Sequence, residues 1–378
     1  MDQEGIANKS NHSALKSVLS IWISLILIAV AGTVVVGGVT RLTNSGLSIT
    51  EWQPIMGAFP PLTEQAWNET FDKYKQTTEF AVEHSHMQLN DFKFIFFWEW
   101  LHRNLGRFVG LLVLLPLMFI FGRIEKKLRT RMLIGAALVG LQGALGWFMV
   151  KSGLADRIDV SHYRLAAHLI LAFFIFSHFQ RLLMDVRNDF AEPEEVTPEI
   201  RKLILFVHGF LGLQIVYGAF VAGLRAGYLY NTYPKMGEDW VPPGAFETGG
   251  IWFSLFENPI SIQFLHRWMA IMLLIFALLL PYFFRKWGAK NLIKDADLFL
   301  GIVLLQAGLG IATLVLKMPT AIAALHQLGG LIAFASMTVL MHKSKNKITE
   351  NIKRGLNETK SNQKLASGGH YGRMGVSN

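Results

Sequence analysis

The sequence predicts an all-α polytopic membrane protein, with eight transmembrane helices forming two tandem four-helix bundles related by a pseudo-twofold axis along the membrane normal. Three observations predict it. Of the 378 residues 52% are hydrophobic and only 17% are charged. The apolar residues fall into eight long blocks, and the polar landmarks of the first four blocks recur in the last four.

The blocks lie at about 18–40, 94–122, 131–150, 163–183, 202–224, 260–284, 297–316 and 321–341. Each approaches the roughly 20 residues a helix needs to cross a hydrocarbon core of about 30 Å. Lipid offers no hydrogen-bond partners, so a crossing backbone must pair internally, as a helix does. The seventh and eighth blocks are separated only by the turn Lys317-Met318-Pro319-Thr320. The first block is too long for a cleaved signal, and residues 1–17 do not resemble an Arg-rich transit peptide.

The formal charge is +9, and its distribution argues for a lipid bilayer as partner and against nucleic acid. Basic residues collect in the N-terminal tail (Lys9, Lys16), after span 2 (Arg123, Lys126, Lys127, Arg129, Arg131) and after span 4 (Arg181, Arg187, Arg201, Lys202). More follow span 6 (Arg285, Lys286, Lys290, Lys294) and Lys343. By the positive-inside rule both termini are expected to be cytoplasmic, in a bacterial inner membrane. The expected divisions are a tail at 1–17, a first unit at 18–184 with a long outer loop at 41–93, and a linker at 185–201. A second unit follows at 202–342, then a basic tail at 343–378 whose polar composition predicts disorder. The chain has no cysteine, which excludes disulfides, thiolate haem ligation, iron–sulfur clusters and c-type attachment.

The duplication is read from ordered matches. Glu99-Trp100-Leu101-His102-Arg103 recurs as Gln263-Phe264-Leu265-His266-Arg267, and Leu141-Gln142-Gly143-Ala144-Leu145-Gly146 as Leu305-Gln306-Ala307-Gly308-Leu309-Gly310. Ala166-Ala167-His168-Leu169 matches Ala324-Leu325-His326-Gln327, and Val39-Thr40-Arg41 matches Gly223-Leu224-Arg225. Each unit has an even number of spans, so both enter from the same side, unlike an inverted repeat.

Even-numbered spans enter from outside, which places His102, His168, His266 and His326 in the outer leaflet. A lone intramembrane histidine is ordinarily a hydrogen-bonded packing residue, and His178 and His208 are read that way. Four at matching depth are different, because two imidazoles from facing helices can ligate a haem iron from both sides. His102 with His168 gives one candidate site, and His266 with His326 the other. His162 and His168 are roughly 120° apart at helical pitch and cannot share one iron. Gly106 leaves room for a flat ring, and Gly143, Gly146, Gly308 and Gly310 permit close helix approach. Arg41, Arg103, Arg107, Arg225 and Arg267 lie at the outer boundary, where planar guanidinium forks suit haem propionates.

One position separates the units. Glu99 precedes His102 by three residues, whereas Gln263 stands before His266. A carboxylate can take a proton or stabilise positive charge, and an amide takes no proton, which marks the first unit as the candidate reaction site. The outer loop 41–93 and its counterpart 225–259 are expected to cap the pockets. His84-Ser85-His86 is read as solvated loop rather than as a metal pair.

The run Gly37-Gly38-Val39-Thr40-Arg41-Leu42-Thr43, with Ser45-Gly46-Leu47-Ser48 and Trp52-Gln53-Pro54, resembles the opening of the haem A synthase family. Glu99-Trp100-Leu101-His102-Arg103, His162-Tyr163-Arg164-Leu165-Ala166-Ala167-His168, His266 and His326 extend the likeness over about 20–342. It is similar to the proteobacterial and mitochondrial branch; Gram-positive members carry outer-loop cysteine pairs that this chain lacks. The resemblance implies oxidation of the C8 methyl of haem O by two successive hydroxylations, then loss of water from the diol to give the formyl group of haem A. It implies haem b as cofactor between His266 and His326, and substrate haem O near His102, His168 and Glu99. Cytochrome oxidase assembly would be served, with haem O synthase (a protohaem farnesyltransferase) and a second copy of the chain as candidate partners. The rival reading is a quinol-linked di-haem b-type cytochrome, which would use the same ligands but needs neither the Glu/Gln difference nor the long loop. A transporter would show spans broken near the midplane, whereas Gly and Pro here cluster at span ends.

Overall fold

The computed structural model describes residues 3–51, 56–156, 160–187, 194–247 and 249–346. Trp52-Gln53-Pro54, residues 188–193 of the linker and the tail beyond Asn346 lie outside the described residues. The chain runs through α1 (Gln3–Leu42), two short loop helices α2 (Glu64–Tyr74) and α3 (Thr78–Glu83), then α4 (Leu89–Ile120), α5 (Lys126–Asp156) and α6 (His162–Arg187). It continues with α7 (Pro198–Gly223), a short α8 (Gly250–Phe256), α9 (Pro259–Trp287), α10 (Ile293–Val315) and α11 (Thr320–Lys343). Eight of these helices are long and apolar enough to cross a membrane, and each contains one of the eight apolar blocks almost entirely.

Local chemistry sets the helix ends. Thr63 and Thr77 accept from the backbone of Ala66 and Phe80 to cap α2 and α3, satisfying N–H groups that have no partner within the helix. Gln88 and Asp91 form a reciprocal capping box at α4. Pro198 and Pro259 begin α7 and α9, where a missing N–H costs nothing. Gly288 closes α9 in the left-handed region at φ 84°. Lys317 and Met318 both take positive φ, which reverses the chain between α10 and α11 within a few residues.

In the first four spans α1 packs on α4 and α6, and α5 on α4 and α6. In the last four, α7 packs on α9 and α11, and α10 on α9 and α11. The two sets meet through α6 against α7, α1 against α11, and α6 against α11. The first two of these contacts exchange with one another if α1 is matched to α7 and α6 to α11. Ile23, Ile26, Val113, Phe179 and Leu182 pack together within the first set, whereas the core of the second set, with Ile204, Val207, Ala277, Phe299 and Phe334, also takes in Val34, Ala172 and Phe173 of the first. Only 6% of the apolar window of α5 is buried against protein, compared with 44% for α7, so α5 is peripheral and α7 central. At the seam the Ser177 and Thr338 hydroxyls are hydrogen-bonded at 2.9 Å.

The structure departs from expectation at the connections. Helix α1 begins at Gln3, well before the apolar block. Helices α6 and α7 extend into the expected linker, leaving 188–197 between them. Strand β1 (Glu194–Val196) pairs in parallel with β2 (Ser344–Asn346), a three-residue ladder on an otherwise all-α fold that joins the expected linker to the start of the expected tail. The ladder is fixed by neighbours the sequence does not place together: Arg201 bonds the Ser344 carbonyl, and Lys343 pairs with Asp295 at 2.8 Å.

Gly135 on α5 faces the Phe179 ring, which would lie 2.6 Å from an added Cβ, whereas nothing lies within 4 Å at Gly140. Overpacking a well-filled site costs about 1–3 kcal/mol. Gly135→Val should therefore lower the melting temperature of the detergent-solubilised protein by several degrees, and Gly140→Val should shift it much less.

Candidate haem sites

All four predicted histidines lie toward the end of the bundle that carries the long loops, and each ring rests on a glycine of the preceding span. Cε1 of His102 would lie 2.7 Å from a Cβ at Gly37, and that of His168 3.0 Å from one at Gly146. For His266 over Gly218 the distance is 3.0 Å, and for His326 over Gly310 it is 2.8 Å. Any side chain at these positions would push the ring away, so the glycines set how closely imidazole approaches the neighbouring helix. Gly143 and Gly308, expected to serve close helix approach, instead face open space, as does Gly106.

Four residues before three of these glycines stands a glutamine whose Nε2 donates to the backbone carbonyl of the opposing histidine. Gln142 bonds His168 at 3.0 Å, Gln214 bonds His266 at 3.0 Å, and Gln306 bonds His326 at 2.7 Å. Gln214 Nε2 also lies 3.1 Å from His266 Nδ1. Before Gly37 the same position holds Thr33, whose hydroxyl bonds the Ala29 carbonyl. Sequence reasoning noted the Gln142 and Gln306 repeats but missed the role; the signal was the Gln-x-x-x-Gly spacing, present in three of the spans.

The residues fit haem. The His102 and His168 rings are 6.5 Å apart between centroids. Two bonds of about 2 Å from ring nitrogen to metal, plus about 1 Å from each nitrogen to its ring centre, span a similar distance. His266 and His326 repeat the ring-on-glycine seating of the first pair. Among the described residues no cluster of three or more His, Cys, Asp or Glu side chains could hold a bare metal ion, whereas haem asks for two axial ligands. An imidazole that ligates through Nε2 keeps its Nδ1 proton and needs an acceptor beside it. Nδ1 of His102, His168 and His326 is buried without a hydrogen-bond partner.

Residues flanking the histidines pin the loops. Glu99 is buried at 2% exposure. Its carboxylate accepts from Ser48 Oγ and the Ile49 amide at 2.7 Å each, and from Arg103 at 2.6 Å. Arg103 also donates to the Ile49 carbonyl at 3.0 Å. In the other half Gln263 Nε2 donates to the Tyr230 carbonyl at 3.0 Å, and Arg267 donates to the carbonyls of Tyr230 (2.6 Å) and Thr232 (2.8 Å). The Glu/Gln difference follows from what each loop presents: donors at Ser48 and Ile49, an acceptor at Tyr230.

Arg225, a candidate propionate ligand, makes an ion pair with Glu83 of α3 at 3.1 Å, and Arg41 donates to the Gly223 carbonyl at 3.3 Å. His162 Nε2 bonds the Phe256 carbonyl at 2.8 Å, and Tyr163 bonds Glu257 at 2.7 Å. The long-loop ends of the two halves are thus tied together. His84 shares a 2.7 Å hydrogen bond with Tyr74, whose hydroxyl also bonds Glu79, while His86 is exposed. Burial holds the His84 pKa below its ordinary value; burial and the Glu79 carboxylate raise that of Tyr74. His178 bonds the Arg131 carbonyl and His208 packs edge-on against Phe334, far from either pair along their helices.

The family model described as cytochrome oxidase assembly protein (COX15-CtaA) matches residues 20–338. A "Heme A synthase" of Maricaulis maris is 41% identical over 338 residues, covering 86% of this chain and 96% of that protein. Those of Rhodospirillum centenum and Rhizobium rhizogenes are 38% identical over 339 residues and 44% identical over 322. They cover 89% and 84% of this chain, and 91% and 87% of their own lengths. With this match running from the first span to the last, the chain belongs to the haem A synthase family.

Proposed function

We propose that the chain is a haem A synthase, oxidising the C8 methyl of haem O to the formyl of haem A for cytochrome oxidase assembly. The observation that carries the reading is the pair of half-buried imidazoles in each half, every ring seated on a glycine. Haem b would be held by His266 and His326, and substrate haem O by His102 and His168. Bound haem supplies an iron that gains and loses single electrons. The relatives lend no support to the quinol-linked cytochrome.

The chain's own residues position and polarise. His102 and His168 fix the plane of the substrate ring, and the loop held by Glu99 and Arg103 keeps water from the pocket mouth. Ser48 Oγ, the Ile49 amide and Arg103 take up acceptor sites of the Glu99 carboxylate and fix its orientation. Of the two roles open to Glu99, stabilising positive charge beside His102 therefore suits this geometry better than proton abstraction. Arg267 and Arg225 would meet haem b propionates at the long-loop end by exchanging their present carbonyl and carboxylate partners. The basic loops support an orientation with both termini in the cytoplasm of a bacterial inner membrane, and the matched helix contacts support a pseudo-twofold axis along the normal. A farnesylated haem is poorly hydrated, which favours direct transfer from the enzyme that makes haem O.

Haems extracted from membranes that express the chain together with a haem O source should contain haem A, and without that source should not. A chain that binds haem yet yields no haem A would overturn the assignment. Glu99→Gln should cut haem A formation about a hundred-fold while bound haem b stays constant. His326→Ala should remove the haem b absorbance and leave the helical circular dichroism intact.

A further inference from the structure

Three of the four candidate ligands have two supports from the preceding span, a glycine under the ring and a glutamine on the backbone carbonyl. His168 has Gly146 and Gln142; His266 has Gly218 and Gln214; His326 has Gly310 and Gln306. The fourth has one. Under His102 lies Gly37, but the residue four positions earlier is Thr33, whose hydroxyl bonds within its own helix to Ala29. Among the described residues no glutamine bonds the His102 carbonyl.

The supports differ in what they fix. The glycine sets how deep the ring sits; the glutamine ties the helical turn that bears the histidine to the adjacent helix. Without it, the His102 turn of α4 is held from the loop side, where Glu99 and Arg103 bind Ser48 and Ile49, and from α1 only one turn earlier, where the Thr40 hydroxyl donates to the Trp98 carbonyl at 3.2 Å. The corresponding turn of α9 has both attachments, Gln263 and Arg267 to the loop and Gln214 to α7. In addition, Gln306 is locked against Gly329, where an added Cβ would stand 2.1 Å from its Oε1. The pair His266 and His326 is thus fully clasped, and the pair His102 and His168 is clasped on one side.

We infer that His102 is the exchangeable ligand of the first pocket: the imidazole that leaves the iron when substrate haem enters and product haem departs, while the clasped pair retains its haem. The inference rests on the proposed assignment of a haem to each histidine pair. A resident cofactor and a substrate make opposite demands on similar sites, and substituting Thr33 for glutamine is the change on the ring-facing helices that separates them. Outer partners of metal ligands alter affinity by about 10–100-fold, enough to distinguish a site that keeps its ligand from one that releases it.

The test uses the full-length protein loaded with both haems and reduced under nitrogen, so that no oxidation occurs. Two readouts independent of turnover are followed: transfer of haem to excess apomyoglobin, with the transferred haem identified after extraction, and binding of carbon monoxide, which needs a vacated iron position. In the unsubstituted protein haem O should transfer at least ten-fold faster than haem b, and carbon monoxide should bind only the haem O site. Thr33→Gln should slow haem O transfer about ten-fold and suppress carbon monoxide binding. Gln214→Thr, the reverse exchange, should speed haem b transfer about ten-fold and make that haem bind carbon monoxide. Equal transfer rates in the unsubstituted protein would overturn the inference, as would unchanged rates in a folded, haem-loaded Thr33→Gln variant. If Thr33→Gln does not accumulate, Gln214→Thr decides by itself, and an inert haem b overturns the inference. Absence of haem from the His266 and His326 pair in the unsubstituted protein would instead defeat the proposed function.

Discussion

The contact on which the structure depends is an imidazole ring lying on a helix backbone where a glycine stands. Four such contacts, at Gly37, Gly146, Gly218 and Gly310, set the spacing between helices that bear histidines and helices that face them. In a bilayer no difference in apolarity drives helices together, since lipid chains are as apolar as leucine, and close packing with interhelical hydrogen bonds must do it. The glutamine that follows each glycine down the helix, except before Gly37, adds one such bond next to the ring. Packing and ligand placement are therefore one set of interactions.

The same economy appears at the loops. One helical turn carries the ligand and, on either side of it, the two residues that hold the overlying loop: Glu99 and Arg103 around His102, Gln263 and Arg267 around His266. A buried carboxylate is tolerable only when paired and hydrogen-bonded, and Glu99 meets three donors. The amide at Gln263 meets a carbonyl, to which a carboxylate there would be repelled. The choice between acid and amide is fixed by the loop backbone as well as by any chemistry in the pocket.

Much of this was legible in the sequence. The spans could be read because lipid imposes a length and an apolarity on every crossing segment, and the histidine pairs because ionisable groups in such segments are rare. The 164-residue offset between the His102 and His266 repeats exposed the duplication. The partners of Glu99 were not legible: Ser48 and Ile49 lie some fifty residues away in an irregular loop, and nothing periodic places them there. The ladder between 194–196 and 344–346 was hidden for a similar reason, since it joins two short polar segments brought together only by helix packing. The glutamines were visible as a repeat, but a side chain that bonds a backbone carbonyl leaves no mark on its partner's identity.

The cross-tied loop ends have a consequence for how the duplication is used. Glu83, contributed by the first half, is neutralised by Arg225 of the second, and the Phe256 carbonyl of the second receives His162 of the first. Neither tie joins equivalent residues of the two copies. Each copy thus presents groups whose partners lie on the other. Either half in isolation would expose a charge or a carbonyl that the other now covers, so the two repeats have become a single cooperative body with one shared roof.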